Sequence, residues 1–188
     1  MSLLSAILDA TERGETLSPK IATSQNFKHW ISTEDLKRCV ECKDNHGKIW
    51  YISEIPTPAP PIHFNCRCEI KLMEAITAGT ATINGLDGAD WKIKYEGKLP
   101  DNYVSEKDLE LLGWRRGKKI SKFSLGSQFF GGIYQNDDKH LPDKYGRIWY
   151  EADINYKSGK RNSQRIVWSN DGLIFVTYDH YQTFYEIK

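Results

Sequence analysis

An alternation constrains this chain more than any other feature. Between Gly146 and Tyr156, the residues Ile148, Tyr150, Ala152, Ile154 and Tyr156 fall on every second position, the period of a half-buried β-strand. The intervening row holds Trp149, Glu151 and Asp153, so a face that usually shows expendable polar groups to water carries a ring and two carboxylates instead. Ser158-Gly159 is a turn signal, and Arg161 to Trp168 returns as a second strand. A turn centred near Gly159 makes opposing residue numbers sum to an even value, which puts Glu151, Asp153, Arg161 and Arg165 on one face. Asn170-Asp171-Gly172 marks a second turn; as a two-residue loop it makes opposing numbers sum to an odd value, which moves the even residues of a third strand, Leu173 to Tyr178, onto the Glu151 face. His180, just beyond that strand, reaches the same surface.

One glutamate, two arginines and one histidine on a sheet face suit cleavage of a phosphodiester by RNA's own 2′-hydroxyl. The carboxylate takes the hydroxyl proton, the imidazole protonates the departing 5′-oxygen, and the guanidinium forks bind phosphate oxygens as charge accumulates. The same pattern also fits a surface Glu–Arg ladder beside an ordinary turn histidine, and spacing does not separate the two.

The residues themselves do. The runs 149–156, 158–166 and Asp179-His180-Tyr181-Gln182-Thr183-Phe184 resemble the barnase-like family of small guanyl-preferring microbial ribonucleases, and Lys98-Leu99-Pro100-Asp101-Asn102-Tyr103 and Leu112-Gly113-Trp114 precede them in the same order. The resemblance covers more than half of the chain. It implies an α+β fold, N-terminal helices packed on a twisted antiparallel sheet. It also implies an endoribonuclease that cleaves single-stranded RNA, preferentially after guanine, through a 2′,3′-cyclic phosphate and without a catalytic cofactor. Glu151 would be the general base, His180 the general acid, and Arg161 with Arg165 the phosphate holders. Gly131 to Asp138 resembles the family's guanine-binding loop, which gives Asn136 and Asp138 base contacts, with Asp138 standing where the family has a glutamate and Asp137 where it has an arginine. Tyr181 is a candidate for stacking on a base. Ser105 and Asp108 form a helix-capping pair, and Glu106 stands where the family carries a lysine near the scissile phosphate; Lys107 is adjacent but points about 100° away on a helix. Either the register shifts locally or the enzyme works without that cation. Glu106, Gly132 and Asp137 favour an alternative, a weak or inactive nuclease-fold module that binds RNA or protein; the intact Glu151, Arg161, Arg165 and His180 oppose it. The resemblance further implies a toxin role and a partner, a small acidic inhibitor or immunity protein of the barstar type.

The chain's 188 residues exceed one such domain and suit two, 1–80 and 81–188, with a linker in the small, unpatterned stretch Ala75 to Ala81. Ser32-Thr33-Glu34-Asp35 reads as a capping box opening a helix that ends near Cys39. All four cysteines cluster in Cys39-Val40-Glu41-Cys42 and Cys66-Arg67-Cys68, with His63 just before the second pair; the grouping suits a tetrahedral zinc or two disulfides. The proline-rich run 56–61 is a stiff spacer that returns His63 and Cys66 to the first knuckle. This pattern, with Pro60-Pro61-Ile62-His63-Phe64-Asn65-Cys66-Arg67-Cys68, resembles the C-terminal part of Mu-type phage head-morphogenesis proteins, which implies a delivery or adaptor role for a small Cys/His-stapled domain.

Net charge is only +1, so no global field favours nucleic acid. The local basic run 115–122 suits either phosphate contacts or a solvated loop. No stretch is long and apolar enough to insert in a membrane. Leu3, Leu4, Ile7 and Leu8 make a helical stripe rather than a signal peptide, and the expectation is a fragment of a longer parent chain, secreted or delivered to a target cell.

Overall fold

A computed structural model describes residues 2–188. Helix α1 (Leu3–Glu12) precedes β1 (Ile21–Ile31), α2 (Val40–Asn45), β2 (Ile49–Tyr51) and β3 (Glu69–Ile76). There follow α3 (Ala89–Glu96), β4 (Tyr103–Ser105), α4 (Glu106–Leu111), β5 (Gln128–Tyr134), β6 (Trp149–Asp153), β7 (Arg165–Ser169), β8 (Ile174–Thr177) and β9 (Tyr185–Ile187). The class is α+β, a few short helices on one sheet of order β2-β1-β3-β9-β8-β7-β6-β5-β4. Its pairs are antiparallel except β3 with β9 and β4 with β5.

The alternating stretch forms β6, and its register with β7 pairs Glu151 with Val167 and Asp153 with Arg165. Those numbers sum to an even value, as the Gly159 turn predicts. The next hairpin departs from expectation: Arg165 faces Thr177 and Trp168 faces Ile174, again an even sum. The reason is a three-residue loop closed by the Ser169 N–H on the Leu173 carbonyl at 2.8 Å, with Gly172 at φ +95°, where glycine alone is unstrained. Odd residues of β8, Phe175 and Thr177, therefore share the Glu151 face.

The even row faces the helices. Ala152, Ile154, Ile166, Ile174 and Val176 bury themselves against Leu3, Ala6 and Ala10 of α1 and Ala89 and Ile93 of α3. Small residues on α1 let that helix sit close to the sheet, leaving Leu4 and Leu8 exposed. On the odd face, Trp149, Val167, Phe175 and Phe184 close over Phe27, Ile49, Met73 and Leu141. The expectation that the odd row lies open thus holds only at Glu151, which is half-buried; Trp149 is covered by residues from β1, β2 and β3, and Asp153 is fully buried.

The stretch read as a linker is structured. Ala75 and Ile76 end β3 and are fully buried, and the Ala78 N–H donates to the Lys188 carbonyl at 2.9 Å. The buried carboxylate of Asp90 then accepts from the Gly79 N–H (2.7 Å), the Ala81 N–H (2.9 Å) and the Thr82 hydroxyl (2.8 Å), which pins the chain as it leaves the strand. The helix expected at 32–39 does not form either. Asp35 is drawn into a fork with Arg67 at 2.6 and 2.8 Å, and the helix begins after Cys39, whose thiol caps it by accepting from the Cys42 N–H.

Candidate active site

Glu151 sits on β6 opposite a bulge in β5. Phe130 pairs with Ala152 and Gly132 with Glu151, so Gly131 is the extra residue. A Cβ on Gly131 would lie 2.8 Å from both Cγ and Oε1 of Glu151; the glycine is the space the carboxylate occupies. Gly132, at φ +83°, supplies the left-handed residue that the bulge requires. The resemblance places Gly131 to Tyr134 at the start of a loop; they form the end of β5, and the base-binding candidates begin only after it.

Two residues from Glu151, Asp153 is completely buried; it accepts from Arg161 through Nε and Nη2, both at 2.6 Å, and is ion-paired with Arg165, whose Nε lies 3.1 Å from Oδ1. The carbonyl of Asp153 also accepts from the Tyr103 hydroxyl at 2.8 Å. Burial works against the Arg161 charge, but the Asp153 fork overrides it and raises the pKa further. Its guanidinium carbon lies 4.1 Å from the Phe129 ring centre. Arg165 is more deeply committed, donating through Nη1 to the carbonyls of Asn162 (2.8 Å) and Gln164 (2.7 Å).

Glu151 and Arg161 line a groove of about 510 Å³ together with Glu106, Arg116, Lys118, Lys160, Trp114 and Phe129. Lys107 is exposed and does not line this groove, because Ser105 caps α4 in the predicted manner and so sets Glu106, not Lys107, toward it. Glu106 is held by Arg116, Nε at 2.5 Å and Nη2 at 2.6 Å, which lowers its pKa.

His180 and Tyr181 occupy consecutive left-handed positions, φ +62° and +68°, a strain found where surrounding bonds over-determine the backbone. Here the bonds are plain. The Asp179 carboxylate accepts from the Thr177 hydroxyl and the Gln182 and Thr183 N–H groups, Thr177 Oγ1 accepts from the Tyr181 N–H, and the His180 N–H donates to the Ser163 carbonyl at 3.0 Å. His180 is exposed. The Tyr181 hydroxyl donates to Glu151, its ring stacks on Tyr134 at 5.1 Å and 25°, and His180 lies against it at 4.7 Å. Burial, then the bond to Glu151, raise the Tyr181 pKa.

In the candidate base loop, Asn136 is buried and spends its side chain on Leu141, Nδ2 to the carbonyl at 2.9 Å and Oδ1 from the N–H at 3.0 Å. It shapes the loop; Asp137 and Asp138 are exposed beside it. Gly131, Arg116, Tyr103 and Asp179 were not singled out from sequence for these roles. Only Asp179 carried a signal, a carboxylate ahead of unpaired turn amides.

Some distance along the sheet, Cys39, Cys42 and His63 form one compact group and Cys42, Cys66 and Cys68 another. His63 Nε2 lies 3.3 Å from Cys39 Sγ and 3.1 Å from Cys42 Sγ, and the Cys42 and Cys66 sulfurs are 3.9 Å apart. A tetrahedral zinc with ordinary bond lengths has ligand edges of about 3.5–3.8 Å; the Cys42–Cys66 distance lies near that edge, and His63 would need to move out by only a few tenths of an ångström to admit an ion. The Phe64 carbonyl lies 2.8 Å from His63 Nδ1, which, with Nδ1 protonated, leaves Nε2 as the ligand nitrogen. Burial pushes the Cys66 thiol up, but hydrogen bonds from the Cys68 and Ile62 backbone outweigh it and bring it to about 7. All four cysteines are free thiols.

Comparison with known proteins finds likeness in two parts of the chain. Residues 5–71 match the model of the Phage Mu protein F like proteins. A ribonuclease of Bacillus pumilus is 44% identical over 134 residues, 70% of this chain and 82% of the relative. Ribonucleases of Heyndrickxia coagulans and Bacillus intermedius are each 44% identical over 110 residues, 57% of this chain and 100% and 67% of the relatives. Residues 88–188 match the ribonuclease family model, a span that contains the bulge, the buried Asp153 and the His180 turn, and the chain belongs to the ribonuclease family.

Proposed function

We propose that the chain is an endoribonuclease that cleaves single-stranded RNA on the 3′ side of guanine by general acid–base catalysis. The observation that carries this reading is the seating of Glu151, in a glycine-walled bulge beside the Arg161–Asp153 fork on an open groove. Glu151 takes the proton of the 2′-hydroxyl, whose oxygen attacks phosphorus. The P–O5′ bond breaks, His180 gives its proton to the leaving oxygen, and a 2′,3′-cyclic phosphate remains. Hydrolysis of the cyclic product reverses the two proton roles. Arg161 faces the groove and meets the charge on the phosphoryl oxygens; Arg165 acts chiefly by holding Asp153 and the 162–164 turn. Tyr181 keeps Glu151 in place through its hydroxyl. The loop 136–141 presents the base site, with Asp138 toward the guanine N1–H and amino group, and Asn136 setting the loop's shape.

None of these steps uses a metal, so the Cys/His cluster is structural, and zinc is the ion its thiolates and imidazole suit best. When bound it would be held by Cys39, Cys42, His63 and Cys66 or Cys68, cross-linking α2 to the segment 63–68. The likeness of residues 5–71 to a phage head protein supports a delivered toxin, with a small acidic inhibitor protecting the cell that makes it. No helix among the described residues is long and apolar enough to cross a membrane.

The test is cleavage of saturating single-stranded RNA in excess chelator by wild type, Glu151→Ala and His180→Ala. Wild type should remain active, with a bell-shaped pH profile, and release cyclic phosphate ends after guanosine, while both variants lose more than about 10²-fold in kcat. Full activity in either variant refutes its assigned role. An inactive but RNA-binding wild type would leave the binding-module reading standing.

A further inference from the structure

The ribonuclease match begins at residue 88, so β1, β2 and β3 lie outside it. Yet they are built into the wall of the proposed base site. The Ile49 N–H donates to the His140 carbonyl at 2.8 Å, and His140 Nδ1 meets the Tyr181 carbonyl at 3.3 Å. Gly47, at φ +85°, lies so close to this turn that a Cβ there would fall 2.8 Å from the Gln182 carbonyl oxygen. Phe27 and Ile49 share an apolar cluster with Leu141, Trp149, Phe175 and Phe184, and Leu141 is the residue whose backbone Asn136 clasps. From the other side of the same turn, Tyr181 reaches Glu151.

The segment that makes these contacts starts in the Cys/His cluster. Cys39 caps α2 and Cys42 is buried within it; the helix ends at Asn45, two residues before Gly47 and four before Ile49. Six residues are too few for a helix to hold itself without tertiary support, and the cluster is what ties α2 to the strand-forming segment after His63.

We infer that α2 and β2 form a brace for the loop 136–141 and the Tyr181 turn, and that a metal ion in the Cys/His cluster sets the stiffness of that brace and hence the affinity for the substrate base. Gly47 and Ile49 are positioning residues, acting through His140, Leu141 and Gln182. The inference rests on reading 136–141 as the base loop.

Two perturbations of the full chain test it: Gly47→Ala, which drives a methyl group into the Gln182 carbonyl, and removal of zinc from wild type by chelation, followed by zinc readdition. The readouts are deuterium uptake at amides 136–141 and steady-state kinetics on a guanosine-containing dinucleotide and its adenosine counterpart. Each perturbation should speed uptake in the loop and raise KM for the guanosine substrate about tenfold, with kcat changed less than about threefold, and zinc should restore the chelated protein. Unchanged uptake at 136–141 overturns the brace; faster uptake with unchanged KM overturns its service to the substrate. Should Gly47→Ala fail to fold, the chelation arm decides alone. A wild type that cleaves both dinucleotides equally would instead refute the base-loop reading, while uptake still decides the brace.

Discussion

Replacing Gly131 by alanine asks how tightly the fold dictates the position of the general base. The added methyl would stand 2.8 Å from Cγ and Oε1 of Glu151 and 3.1 Å from Cδ, where ordinary contact begins at 3.4 Å. The carboxylate must therefore retreat by about 0.6 Å toward the groove it lines, because Gly131 itself is held between the paired Phe130 and Gly132. A reacting group misplaced by about 1 Å costs on the order of 10²-fold in rate, so Gly131→Ala should lower kcat roughly 10- to 50-fold. Its stability should change less: about 0.5–1 kcal/mol gained from the stiffer strand residue is offset by about 1–3 kcal/mol of overpacking. Gly132→Ala provides the opposite signature. Nothing lies within 4 Å of its Cβ, but φ +83° costs an L-residue about 1–2 kcal/mol, so stability falls while kcat stays within about twofold of wild type. Single-turnover cleavage and urea unfolding of both variants measure the contrast. Equal kcat in Gly131→Ala and wild type would refute the claim that this glycine makes room for the base.

Asp153→Asn should destabilise the protein by about 3 kcal/mol in urea unfolding, the lower end of the cost of stranding a buried charge, because Arg161 is a third exposed; a loss under about 1 kcal/mol would refute the pairing. Burial first, then the neighbouring His46 and Lys71 charges, lower the His29 pKa to about 4. The fold thus prefers neutral His29, so its contribution is complete above the ordinary value of 6.5 and is lost as pH falls toward 4. Urea midpoints should decline across that window, and His29→Gln should flatten the decline; an unchanged slope counts against the assignment.

The first hairpin was legible because its turn glycine stands at the centre of symmetry of the register: once Gly159 is placed, Asp153 must face Arg165. The second was not, since Asn170-Asp171-Gly172 supports loops of two or three residues, and only the left-handed Gly172 with the Ser169–Leu173 closure decides. The catalytic candidates came from resemblance, but the space for Glu151 came from Gly131, whose role depends on a bulge that no local pattern marks. Least legible was the union of the N-terminal strands with the ribonuclease sheet. Ala75 pairs with Glu186 in a parallel ladder, a contact between distant parts of the chain whose only local sign was a run of small residues, which read as a linker. β1 shows the same difficulty. Its polar centre, Thr23 to Asn26, hides the pairing because a register shift there breaks the alternation.

The proposed inhibitor gives a test of the groove's charge pattern. From sequence, Glu106 and Asp137 both stood as negative charges on a rim where the family is cationic, so a barstar-type inhibitor evolved for a more basic enzyme should meet repulsion from each. The structure separates the two. Glu106 is forked by Arg116, a pair of zero net charge, while Asp137 is exposed. An incoming carboxylate therefore finds Lys118, Lys160 and Arg161 along the groove, with Glu151 among them, and unpaired like charge on the rim at the exposed Asp137 and Asp138. Rim pairs of this kind are worth about 0.2–1 kcal/mol each, so Asp137→Lys, a change of two charges, should tighten binding of a barstar-type inhibitor by about two- to thirtyfold. Glu106→Gln, which also frees Arg116, should tighten it less than Asp137→Lys does. Both gains should shrink as salt rises and screens the rim, and they should appear mainly in the association rate. Association rates measured at two ionic strengths decide the matter. Equal gains from the two variants would show that the Glu106–Arg116 fork does not neutralise this end of the groove, and no gain from Asp137→Lys at low salt would show that the inhibitor does not approach the base loop at all.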